Sequence, residues 1–86
     1  MHVKIHTGAC PDGTTTISNA ALERVRGGFN PSRLEAVDRV KALTAALISE
    51  MEAVAGPGFA LREAATAATQ FQGACMFAVA ALTAEA

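Results

Sequence analysis

The chain has 86 residues, a formal charge of -1, 51% apolar and 17% charged residues, and two cysteines. That length allows one domain, and no aromatic residues interleave with basic ones along an extended patch, which argues against a general nucleic-acid or DNA binder. Cys10 and Cys75 are too few and too differently placed for a disulfide framework, and without a basic-then-apolar leader a cytosolic, unsecreted product is expected.

From the N-terminus, His2 to His6 alternate briefly, and the stretch from Thr7 to Thr16 has turn chemistry in Gly8, Pro11, Asp12 and Gly13. An irregular or weakly ordered arm is expected. Ser18 or Asn19 can cap a short helix through Arg26, with Gly27 and Gly28 ending it. Residues 1–28 form the arm, and residues 29–86 form a helical hairpin.

The first long helix is expected from about Pro31 to Ala55. Asn30 is a favoured N-cap, Pro31 fits the first helical position, and Ser32 with Glu35 offers a competing capping box. Gly56-Pro57-Gly58 breaks it, and a second helix is expected from about Phe59 to Ala84. A break this short implies an antiparallel pair.

Between Glu63 and Glu85 the chain carries no charge, yet the run holds Thr66, Thr69, Gln70, Gln72, Gly73 and Thr83, a poor composition for a membrane span. At 100° per residue both helices show two buried-looking stripes. In the first helix, Leu34, Val37, Thr44, Ile48, Met51 and Ala55 form one stripe, and Ala36, Val40, Leu43, Leu47 and Val54 the other. In the second, Ala64, Ala68, Phe71, Cys75, Ala78 and Leu82 lie opposite Arg62, Thr66, Thr69, Gly73, Met76 and Ala80. One hairpin cannot bury all four. Alanine at 20 of 86 positions lets helix axes approach closely, so an all-α homo-oligomeric bundle is the expected fold class.

Five of the seven basic residues, Arg24, Arg26, Arg33, Arg39 and Lys41, fall between positions 24 and 41, opposed there by Glu35 and Asp38. A small anionic ligand suits that segment. Phe29, at the mouth of the long helix, has two readings. It is either an exposed ring that stacks on a nucleobase or the N′ residue of a hydrophobic staple with Leu34; spacing alone favours the staple. Lys41 falls inside an apolar stripe, where it meets a phosphate, snorkels, or pairs with Asp38; spacing alone favours snorkelling.

Arg62, Thr66 and Thr69 make a polar patch that symmetry would turn into a ring of phosphate donors. Their alternative is hydroxyls bonded back to their own helix, with Arg62 paired to Glu63 or to solvent. His2, His6 and Cys10 have a four-residue spacing, but Gly8 and Pro11 oppose the helix that would align them, so no metal site and no cofactor are expected. No nucleophile, base and orienting acid can be assembled without these histidines.

The segments FNPSRLEAVDRVKALTAALI (29–48), the Arg62 to Thr69 spacing, and QFQGACMFAVAALT (70–83) together resemble the phage anti-CBASS protein two family of nucleotide sponges. The resemblance covers about two thirds of the chain. It implies a compact helical homo-oligomer, a hexamer ahead of a tetramer, that sequesters cyclic oligonucleotides in the host bacterial cytoplasm without cleaving them. It implies that cyclic dinucleotides such as cGAMP sit between protomers, with Phe29 stacking on a base and Lys41 meeting phosphates. Asn30, Arg26 and Arg33 surround that position. A separate site for cyclic trinucleotides would use Arg62 and either Thr66 or Thr69. The rival reading is a non-catalytic helical scaffold that docks onto a phage or host protein; a phosphodiesterase built on His2 and His6 stands behind both.

Overall fold

The computed structural model describes residues 1–84 and orders the chain as two strands followed by three helices. Strand β1, His2–Ile5, pairs antiparallel with β2, Gly13–Thr16, in a register that sets Val3 opposite Thr15. The expected irregular arm is therefore a β-hairpin, and the expected all-α class becomes a mostly helical fold with a small sheet. Strands of four residues are marginal alone. These are held from outside: the buried Thr15 donates its hydroxyl to the Glu50 carboxylate on the long helix, and the buried Ile17 and half-buried Val3 join the core. Sequence alternation was too short to announce that support.

Helix α1, Asn19–Arg24, starts at Ser18, whose Oγ accepts from Ala21 N at 3.0 Å. The same hydroxyl lies 2.9 and 3.1 Å from the two Glu52 carboxylate oxygens, and Ser18 N donates to Ser49 Oγ at 3.1 Å. One serine thus caps α1 and ties it to the next helix. The end differs from the expected glycine stop. Arg26 itself takes the left-handed conformation, φ 54°, its N–H donating to Glu23 O, while Gly27 N donates to Leu22 O at 2.8 Å. This is a Schellman closure with arginine where glycine is usual.

Helix α2, Glu35–Glu52, begins four residues after the expected start. Asn30 organises a turn ahead of it instead of capping it. Its Oδ1 accepts from Arg33 N and from Ser32 Oγ, and its Nδ2 donates to Leu34 O and to Asp38 Oδ1. Arg33 has φ 59°, so a helix cannot run through it from Pro31. Leu34 becomes the N-cap, and with that shift the Phe29–Leu34 staple loses its geometry.

Gly56, at φ 128°, makes the break that a side chain would resist, and α3 runs Gly58–Thr83. Helices α2 and α3 pack as the hairpin, and α1 and the sheet lie on α2. The core joins Ile17, Ala21 and Val25 to Val37, Ala45, Ala46 and Ile48, with Ala64, Ala68 and Cys75 from α3. The latter follow the stripe read from the sequence. The opposite stripe is open: Arg62, Thr66, Thr69, Met76 and Ala80 are exposed, as are Leu43 and Leu47 on α2. By length and mean hydropathy α3 reaches the threshold for a membrane span, but the half-buried Gln72 at its middle is hydrogen-bonded to Arg24 of α1.

Candidate ligand pocket around Lys41

Lys41, in the second turn of α2, is 6% exposed, and its ammonium donates to Arg26 O at 3.0 Å and to Phe29 O. Neither the snorkelling nor the Asp38 pair read from spacing describes it. The stem is buried in the apolar stripe and the charge is turned onto a loop. Among the described residues no carboxylate lies within 4.0 Å of it, the single ion pair there being Arg39–Glu35 on the outer face of α2. A buried cation held by carbonyl dipoles, without a counter-ion, favours an arriving anion.

The loop it holds is made of two consecutive turns. The first closes through Phe29 N to Arg26 O at 2.9 Å and the second through Arg33 N to Asn30 O at 3.2 Å. Each has a left-handed arginine, at Arg26 and at Arg33. Non-glycine residues cost on the order of 1–2 kcal/mol in that conformation and persist when their surroundings fix them. Here the Schellman bonds, the Asn30 side chain and Lys41 do so. The result presents the Phe29 ring at 58% exposure with the Lys41 ammonium 5.5 Å from its centroid.

Three cavities meet at Lys41. One, of about 460 Å³, opens between Phe29, Pro31 and Ser32 and the end of α3 at Val79 and Thr83. A second, about 430 Å³, lies beside Gly27, Gly28, Asn30 and Asp38. The third, about 310 Å³, lies between Arg24, Arg26 and Phe29 and the α3 residues Gln72, Cys75 and Met76. Phe29, Asn30, Lys41 and Arg26 are thus brought together, whereas Arg33 lines none of the three and serves the turn.

Arg62, Thr66 and Thr69 stand apart on the open face of α3. The hydroxyls of Thr66 and Thr69 donate to Arg62 O and Ala65 O at 3.0 and 3.1 Å, and the Arg62 guanidinium lies 6.0 Å from the Phe59 ring. His2 and His6 are exposed, His6 Nδ1 meets Pro11 O, and no three His, Cys, Asp or Glu side chains converge among the described residues. Gln72, Val79 and Thr83 were missed as pocket residues. Gln72 reaches the site through an arginine 48 positions away, a contact with no local signature.

Together these features describe a small helical hairpin with a buried cation that meets no carboxylate among the described residues and an exposed ring at one cleft, a candidate ligand-binding module. A family model described as Acb2/Tad1, hairpin domain, matches residues 19–83. The chain belongs to that family, the anti-CBASS protein 2 / Tad1 family of sponge-type binding proteins, whose role is to bind cyclic oligonucleotides. Neither the curated proteins nor the solved structures compared with it give a match.

Proposed function

We propose that this protein is a phage immune-evasion sponge that binds and sequesters cyclic dinucleotides, cGAMP among them, in the host bacterial cytoplasm without cleaving them. The observation that carries this reading is the buried Lys41 ammonium, without a carboxylate partner among the described residues, beside an exposed Phe29 ring at the junction of three cavities. A cyclic dinucleotide offers what such a place lacks, an anionic phosphodiester for the ammonium and a base for the ring. Base–aromatic stacking contributes about 1–3 kcal/mol per base, and the charge-assisted contact adds to it in a partly desolvated site. Arg26 supplies further positive charge at the rim, and Asn30 holds the loop.

Enclosure comes from a second copy of the chain. The open stripes on α2 and α3 support a homo-oligomer; the family resemblance is what puts a hexamer ahead of a tetramer and cyclic dinucleotides between protomers. Where the Arg62 faces meet, a second site takes cyclic trinucleotides, with Thr66 and Thr69 turning their hydroxyls from their own helix to phosphate. In the decisive experiment the protein is incubated with cyclic di- and trinucleotides and heat-denatured, and the released ligand is chromatographed. Depletion followed by intact release is expected. Degraded ligand would instead establish an enzyme, and no depletion a scaffold. Arg62→Ala is expected to weaken trinucleotides alone; equal weakening of both classes would refute two separate sites.

A further inference from the structure

Arg24 and Gln72 form a donor-rich wall that the sponge reading does not use. Arg24 Nε donates to Gln72 Oε1 at 3.0 Å, joining α1 to α3 across the cavity of about 310 Å³ that Phe29 and Lys41 also line. That bond consumes one of the guanidinium's five N–H groups and fixes its plane. Among the described residues no hydrogen bond or ion pair engages the terminal nitrogens of Arg24 or the amide nitrogen of Gln72. The lining beside them is apolar, from Val25, Cys75, Met76 and Val79.

We propose that this cavity is a base pocket in which Arg24, positioned by Gln72, selects guanine over adenine. The inference rests on the cyclic dinucleotide reading and deepens it. Guanine presents two adjacent acceptors, N7 and O6, along one edge, and an arginine fork meets both. Adenine places its N6 amine beside N7, so a donor would face a donor and leave buried N–H groups unpaired. Phe29, on the same cavity, offers the stacking face. The apolar side chains of Val25, Cys75, Met76 and Val79 suit a flat base, while Arg26 and Lys41, which line the same cavity, stand where the phosphate joined to that base would lie.

The test is calorimetric titration of the full chain with cyclic di-GMP and cyclic di-AMP, together with analogues of the former. In one, hypoxanthine keeps O6 and N7 but lacks the 2-amine; in the other, 7-deazaguanine lacks the N7 acceptor. The wild type is expected to prefer the guanine ligand at least about fivefold, the lower end of what a bidentate base contact gives, to treat hypoxanthine like guanine, and to bind 7-deazaguanine more weakly. In Arg24→Gln and Arg24→Lys, checked for helicity by circular dichroism, the loss should fall mainly on guanine and hypoxanthine ligands. Gln72→Leu should reduce the preference without removing it. Equal wild-type affinities, indifference to N7, or an equal loss for both ligands in the Arg24 variants overturns the base pocket. Wild-type protein that binds none of the panel overturns the cyclic dinucleotide reading itself, a distinct outcome.

Discussion

Lys41 and Phe29 face the same cleft, yet substitution should separate them. Phe29 is exposed and its ring supports little else, so Phe29→Ala is expected to lower cyclic dinucleotide affinity by about 1–3 kcal/mol in calorimetry with stability within about 0.5 kcal/mol of wild type. Lys41 also ties Arg26 O and Phe29 O to α2. Lys41→Met keeps the buried stem but orphans part of that backbone, so it should abolish binding and also cost about 1–3 kcal/mol in urea denaturation. Wild-type stability in Lys41→Met would show that the carbonyl contacts do not hold the loop. The sequence marked Lys41 as unusual because a lysine stood in an apolar stripe. It could not give the reason, since the partners are main-chain atoms 12 and 15 positions away with no side-chain signature.

Among the elements, the segment between α1 and α2 has the most consequences for the site. Asn30 was legible as an N-cap, and its side chain does organise backbone, but in a turn ahead of a helix that begins later. Side-chain chemistry was read correctly and its register was not, because Arg33 adopts a conformation that sequence gives no cause to expect. Asn30→Ala should release this loop, weakening ligand binding and accelerating amide exchange at Arg33 and Leu34; exchange unchanged from wild type would remove the proposed role. Ser18 and Asn19 were both legible as caps; the structure settles on Ser18 and adds its contacts to Glu52 and Ser49. Ser18→Ala is expected to cost about 1–2 kcal/mol, seen as a lower denaturation midpoint.

For the whole molecule, the unresolved burden is apolar surface. Phe77 and Met76 are 81% and 70% exposed, and Leu43, Leu47, Phe59 and Leu61 are also open. Light scattering is expected to give a homo-oligomer, and Phe77→Glu to lower its mass while circular dichroism stays helical. A wild-type monomer at micromolar concentration would defeat both the assembly and the between-protomer pocket. Since the proposed enclosure needs a second copy, a dissociated variant should also bind cyclic dinucleotides more weakly.

Local chemistry in the sequence determined the helical hairpin, its Gly-Pro-Gly break, the α3 stripe through Ala64, Ala68 and Cys75, and the prominence of Phe29 and Lys41. Helix period, breakers and a misplaced charge act within a few residues, so they are visible along the chain. Tertiary structure alone decided the β-hairpin, the late start of α2, the attachment of Lys41 to loop carbonyls, and the Arg24–Gln72 wall. Each depends on groups distant in sequence or on backbone dihedrals that side-chain identity does not dictate.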